Sequence, residues 1–172
     1  VGAPMAGSTL LYGGVYWGML ATAVSPLGPH VNAALGIGFS GLEGVTWPLF
    51  HGLALGTASF VGRYLGAEQK DNATRVAKMG FGYAAAAGVL ASAVFYFFAV
   101  PLTGFYTDHP QVHAAAIEYA VIMSFSQVTT SWEAYAEGVL GGAGDTRSIF
   151  WWSMPFNLAR VPLAYLMAMP LG

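Results

Sequence analysis

The sequence predicts an all-α fold, a polytopic transmembrane helix bundle of about five spans that takes in residues 1–172 as a single bundle. Three observations carry this expectation. Of 172 residues, 56% are hydrophobic and only 8% are charged, against about 25% charged in an ordinary soluble domain. So few charges cannot cover a soluble surface of that size. Five segments reach the length of about 20 apolar residues that crosses a bilayer as a helix. The breaks between those segments are short and polar.

The first segment covers about residues 4–24 and ends at SPLGPH. Ser8, Tyr12 and Tyr16 fall at i, i+4 and i+8, one face of a helix suited to lining a cavity or to core packing. There is no basic leader or cleavage site here, so a signal peptide is not expected. Because the chain opens on Val1 rather than methionine, it is expected to be a piece of a longer protein. The second segment, about residues 31–64, is the most informative. From Val31 to Val61 its only formal charge is Glu43, its only other titratable group is His51, and Pro48 near the middle predicts a kink. A soluble core helix of this length would need a polar face, and this one has almost none.

The third segment runs over about residues 74–100 and is expected to stop at Pro101, with no charge from Met79 to Val100. After the turn TGFYTDHP, the fourth covers about residues 112–140. The break GGAGDTRS precedes the fifth, about residues 149–171. The second and fourth are long enough to require tilt or extension beyond the hydrocarbon layer. Arg63, Lys70, Arg75 and Lys78 lie around the second connection and Arg147 in the fourth, while SPLGPH and TGFYTDHP carry no Lys or Arg. The positive-inside rule therefore puts the second and fourth connections in the cytoplasm. On that side the sequon Asn72-Ala-Thr74 would not be glycosylated. Trp17, Trp151 and Trp152 suit the aromatic belt at the membrane interface, and Trp47 lies deeper.

Composition also excludes function classes. A net charge of −2 leaves no basic footprint for nucleic acid. The absence of cysteine removes disulfides, thiolate nucleophiles and cysteine metal sites. No HExxH, GxSxG or Asp pair is present, which argues against a membrane-embedded enzyme built on His51 and Glu43. GGAGDT lacks the GK[ST] ending of a phosphate loop. Neither cofactor nor metal is expected, beyond a coupling H+ or Na+. Three small-xxx-small pairs, Gly14/Gly18, Gly52/Gly56 and Gly138/Gly142, would let helices approach closely.

The polar groups inside the apolar segments are the candidate site. A charge at mid-bilayer costs about 2.5–3.5 kcal/mol on insertion scales. Glu43 sits about 18 Å along its helix from the outer end, past the middle of a hydrocarbon core about 30 Å thick. Desolvation disfavours its charged form, so it can load a proton on one side and release it on the other. The alternative is a permanently protonated Glu43 bonded to a backbone carbonyl. On the fourth segment Ser126, Thr130, Glu133 and Glu137 share one face, which Tyr119 and Met123 extend outward. Such a stripe faces other helices or a wet cavity; Glu133 and Glu137 could instead be solvated at headgroup level. His51 can line the cavity or serve as a hydrogen-bonded packing residue. Arg160, alone in the fifth segment, is expected to form a structural pair with a carboxylate or to cap carbonyls.

Three stretches resemble a known family. GLEGVTWPLFHGLALGTASFVGRYLGA is similar to the second helix in the C-terminal half of multidrug and toxic compound extrusion (MATE) transporters. EGVLGGAGDTR resembles the end of a later helix of that half, and ARVPLAYL a motif beyond it. They come in the family's order and cover nearly the whole chain. The resemblance implies five of the six helices of the second lobe of a two-lobe transporter, with the N-terminal lobe as the missing partner. It implies cation-driven export of amphipathic, often cationic compounds by alternating access, in a bacterial inner membrane. By position, Glu43 and Arg160 fall on family motif residues. Sodium-coupled members carry an acid on the first helix of this half, where this sequence offers Tyr12, and another near Thr130, with Glu133 one turn on. Sodium wants several oxygen ligands, so a proton is favoured. Coupling is thus expected at Glu43, Glu133 and Thr130. Tyr12, Tyr16, Trp47, His51, Met123, Ser126 and Glu137 are expected to line the substrate cavity, with aromatic and Met surfaces suiting promiscuous binding. A lipid-linked saccharide flippase of the same superfamily is the nearest alternative, but it would want a more basic cavity than Arg160 alone provides.

Overall fold

The computed structural model describes residues 2–168, which are helical almost throughout and contain no strand. The chain divides into two compact units, one of residues 1–32 and 145–172, the other of residues 33–144. In the first unit, α1 (Gly2–Met19) runs into a π-helical turn (Leu20–Val24) and a 3-10 turn (Ser25–Leu27). Gly28 ends that turn with φ 104°, a left-handed conformation that glycine adopts without steric cost. From there α2 (Pro29–Gly36) leads into the second unit. α8 (Thr146–Ala168) returns to pack against α1. Gly7 of α1 faces the Phe150 ring, and Gly18 faces Val161.

The second unit is built on three helices, α3 (Glu43–Gly66), α4 (Lys70–Phe97) and α7 (Gln127–Gly142). α3 and α7 run parallel with their backbones in contact. A Cβ on Gly138 would lie 2.5 Å from the Ala54 carbonyl oxygen, and one on Gly142 would lie 2.5 Å from that of Ala58. Gly138 and Gly142 thus do what the spacing predicts, against alanines rather than glycines. Gly52 and Gly56 face open space.

α4 lies antiparallel, held by side chains from α7. The Ser131 hydroxyl donates to the Ala84 carbonyl at 2.8 Å, and the Tyr135 hydroxyl donates to Ala77 at 3.1 Å. Gly80 leaves room for the Tyr135 phenol and Gly88 for Ser131. Phe50, Ala91 and Ala134 close one apolar cluster between the three helices. Two further helices, α5 (Ala99–Gly104) and α6 (Pro110–Ser124), sit beyond them, where Leu42, Phe95, Ala99 and Ala120 form a second cluster.

Each expected segment is helical, but three boundaries differ. Helix runs without a gap from Pro29 to Gly66, and Pro48 sits inside regular α3. The irregularity comes earlier, as a second π-helical segment, Ile37–Leu42, whose wide turn breaks the α register. The third segment ends at Phe97 rather than Pro101, because Phe98 leaves helical geometry at φ −114° and ψ 18°. Pro101 falls in the first turn of α5, where its missing N–H costs no helix bond. The fourth segment breaks between α6 and α7, where Phe125 and Ser126 bond back only three residues, to Ile122 and Met123. The end of the fifth segment, residues 169–171, lies outside the described residues. Among the described residues α4 alone, 28 residues long, is by itself long and apolar enough to cross a membrane.

Candidate functional site

Glu43 opens α3, directly after the Ile37–Leu42 segment, and is half-buried. Its neighbour Leu42 belongs to the apolar cluster with Phe95, Ala99 and Ala120. Into these surroundings α6 sends Tyr119, whose hydroxyl donates to Oε1 of Glu43. Two glycines make the contact possible. The Tyr119 ring lies 2.2 Å from where a Gly38 Cβ would stand, and Tyr106, just beyond α5, comes within 2.8 Å of that point on Gly41. No side chain fits at either position without displacing an aromatic ring. The chemistry is that of a carboxyl group with a phenol as hydrogen-bond partner. A tyrosine hydroxyl both donates and accepts, so the pair can stay bonded whether Glu43 carries a charge or a proton.

Trp47 and His51 follow Glu43 at i+4 and i+8 on α3, within about 80° of it around the helix. Their rings stack at 3.6 Å between centroids and 22° between planes. His51 Nδ1 lies 3.1 Å from the Trp47 carbonyl oxygen. Trp47 is half exposed, so the pair offers a flat aromatic surface rather than a second ionisable partner for Glu43.

The α7 stripe is divided by the break that precedes it. Met123 lies in the last turn of α6, and Ser126 donates to the Met123 carbonyl at 2.9 Å, with the Met123 sulfur 3.8 Å away. Thr130 donates in turn to the Ser126 carbonyl at 3.0 Å. Glu133 is exposed, and half-buried Glu137 stands one turn on, within reach of its charge. The register that sets Ala54 against Gly138 puts Glu43 level with Gln127. Glu133 is six residues further along, about 9 Å at the helical rise. The structure therefore does not set Glu43 and Glu133 side by side.

In the other unit, Tyr12 is exposed and Tyr16 half-buried on α1. The side chain of Ser8 lies outside the described residues. Arg160 is exposed on α8, and no carboxylate or backbone carbonyl engages it among the described residues. Among the described residues there is also no cluster of His, Asp and Glu that could hold a metal. Arg63, Lys70, Arg75 and Lys78 are exposed around the α3–α4 connection, where an open groove of about 340 Å³ is lined by Asp71, Thr74, Arg75, Lys78 and Met79.

Two features escape a sequence reading. Tyr119 shows as part of a polar stripe, but nothing local ties it to a residue 76 positions away. Gln127, 1% exposed, has no partner for its Oε1 among the described residues, and neither has the buried hydroxyl of Ser92 on α4. A glutamine among serines and threonines carries no signal of such burial.

Comparison with known proteins agrees with this architecture. The MatE family model matches residues 4–166. The chain is 32% identical over 174 residues to the multidrug resistance protein MdtK of Pectobacterium atrosepticum, covering 98% of this chain and 37% of that protein. It is 26% identical over 156 residues to a "probable multidrug resistance protein NorM" of Photorhabdus laumondii, covering 90% and 34%. A NorM of the same description from Pseudomonas aeruginosa is 24% identical over 178 residues, covering 100% and 36%. The chain spans about a third of the length of these curated relatives.

Proposed function

As the chain belongs to the MatE family, we propose that residues 1–172 form the second lobe, of about five spans, in a two-lobe secondary antiporter. The transporter would export amphipathic or cationic compounds across a bacterial inner membrane, with the N-terminal lobe as its partner. The relatives' description as multidrug resistance proteins supports the export reading. The coupling ion is a proton in preference to sodium. The observation that carries this is the half-buried carboxyl group of Glu43 bonded to a tyrosine hydroxyl, a group that can both donate and accept.

In this mechanism Glu43 takes a proton when its side of the bundle opens outward, which removes a charge from an apolar setting and favours one packing. Loss of that proton toward the cytoplasm restores the carboxylate, which attracts the next cationic substrate. Thr130 and Glu133 lie further along α7 and act on the inner part of the same route. The stacked Trp47–His51 pair, with Met123, Ser126 and Glu137, supplies substrate surface in the second unit, Tyr12 and Tyr16 supply it in the first, and Arg160 forms a structural pair with a carboxylate of the complete transporter. Dye efflux driven by a pH gradient tests this in cells carrying the complete transporter. Glu43→Gln should reduce efflux at least tenfold and remove its pH dependence, whereas efflux equal to wild type would take Glu43 out of the mechanism.

A further inference from the structure

The Ile37–Leu42 segment is a π-helical interruption of the α-helix, and it sits directly before Glu43. Wide π turns lack the close packing of an α-helix and recur at functional positions. Here two tyrosines from outside the helix cover it, Tyr119 over Gly38 and Tyr106 over Gly41. The two differ in one respect. Tyr119 continues past the glycine to the Glu43 carboxyl group, whereas the Tyr106 hydroxyl makes no hydrogen bond among the described residues.

We propose that Tyr119 is the positioning residue for Glu43, holding the carboxylate by its hydroxyl and tying the protonation of Glu43 to the Ile37–Leu42 segment on which its ring rests. The inference rests on the coupling role given to Glu43 above and adds a residue that bears on its proton affinity. A hydrogen bond donated to a carboxylate favours the ionised form. When Glu43 takes up a proton, that preference is lost. The Tyr119 hydroxyl then has less reason to stay, and the ring is freer to leave Gly38. The segment is held more tightly while Glu43 is charged than when it is neutral.

Few other titratable groups reach this place. α5 contains none. On α6, Glu118 is exposed and His113 is turned to the Val100 carbonyl, its Nε2 3.2 Å away. Asp108 and His109 in the preceding turn are exposed, as is Tyr96 on α4. His51, two turns along α3, is stacked on Trp47.

The test is an infrared pH titration of the protonated carboxyl band of the complete transporter in lipid, assigned to Glu43 by its loss in Glu43→Gln, read alongside the pH profile of efflux. Tyr119→Phe keeps the ring and removes the hydroxyl. It should move the midpoint of that band by about one pH unit to the alkaline side, the worth of one charge-assisted hydrogen bond, and the efflux profile should follow. Gly38→Ala, which displaces the Tyr119 ring, should shift the midpoint the same way. Tyr106→Phe alters the same segment without touching Glu43 and should leave the midpoint in place. An unchanged midpoint in both Tyr119→Phe and Gly38→Ala, or an equal shift in Tyr106→Phe, overturns the inference while leaving the coupling role of Glu43 intact. Wild-type efflux in Glu43→Gln overturns that coupling role itself.

Discussion

Asp145, just before α8, accepts two hydrogen bonds from Ser148 in its first turn. The Ser148 hydroxyl donates to Oδ2 of Asp145 at 2.6 Å, and the Ser148 N–H donates to Oδ1 at 3.2 Å. The first of these bonds, then the second, holds the Asp145 carboxyl below its ordinary value. A lowered folded value means that the contact stabilises the protein above the unfolded carboxylate range, and that this is lost as pH falls through the folded value. Ser148→Ala should therefore melt below wild type at neutral pH, and the two melting curves should converge in acid. A gap that persists in acid would show that the serine acts by other means. This contact is legible from four residues of sequence, Asp-x-x-Ser ahead of an apolar run. The site is only half legible in that way. Glu43 stands out because it is the single charge in a 31-residue apolar stretch, but its partner Tyr119 is 76 positions away and had no local mark.

Helix packing follows the same division. The sequence offers several small-residue pairs of equal spacing, and the α3–α7 contact uses Gly138 and Gly142 while Gly52 and Gly56 look into open space. Spacing says which glycines could approach a neighbour; only the rotation of each helix says which do. The consequence is measurable as thermal stability in detergent. Gly142→Ala and Gly138→Ala push a methyl group into backbone that cannot yield, and each should cost about 1–3 kcal/mol. Gly52→Ala and Gly56→Ala should be neutral or slightly stabilising, since alanine is the better helix former. Equal losses at all four positions would contradict the packing. The π-helical segment before Glu43 is another feature without a sequence signal. Pro48 drew attention to the wrong turn of the helix, because a membrane helix can carry a proline without breaking when the surrounding structure accommodates it.

For the molecule as a whole, the distribution of charge remains the strongest guide to orientation. Exposed Arg63, Lys70, Arg75 and Lys78 gather around the α3–α4 connection, while the α5–α6 turn has neither Lys nor Arg. Because the chain has no cysteine, single cysteines can report on each side without background. A cysteine at Asp108 should react with a membrane-impermeant maleimide added to intact cells, and one at Asp71 only in inverted vesicles. Labelling of Asp71→Cys from outside would reverse the assigned orientation. Exposed apolar side chains such as Leu90, Phe97 and Phe105 fit the same picture, since lipid rather than water would be their solvent.

Helical class, membrane character and the one anomalous carboxylate could all be read along the chain. Each rests on composition or on spacing within one helix, and such quantities survive without knowing what packs where. The partner of Glu43, the glycines that touch, and the burial of Gln127 and Tyr135 could not. These depend on register and rotation between helices far apart in the chain, and in a chain this uniformly apolar many registers satisfy the same hydrophobic pattern. Close fit of backbone, ring and hydroxyl selects among them.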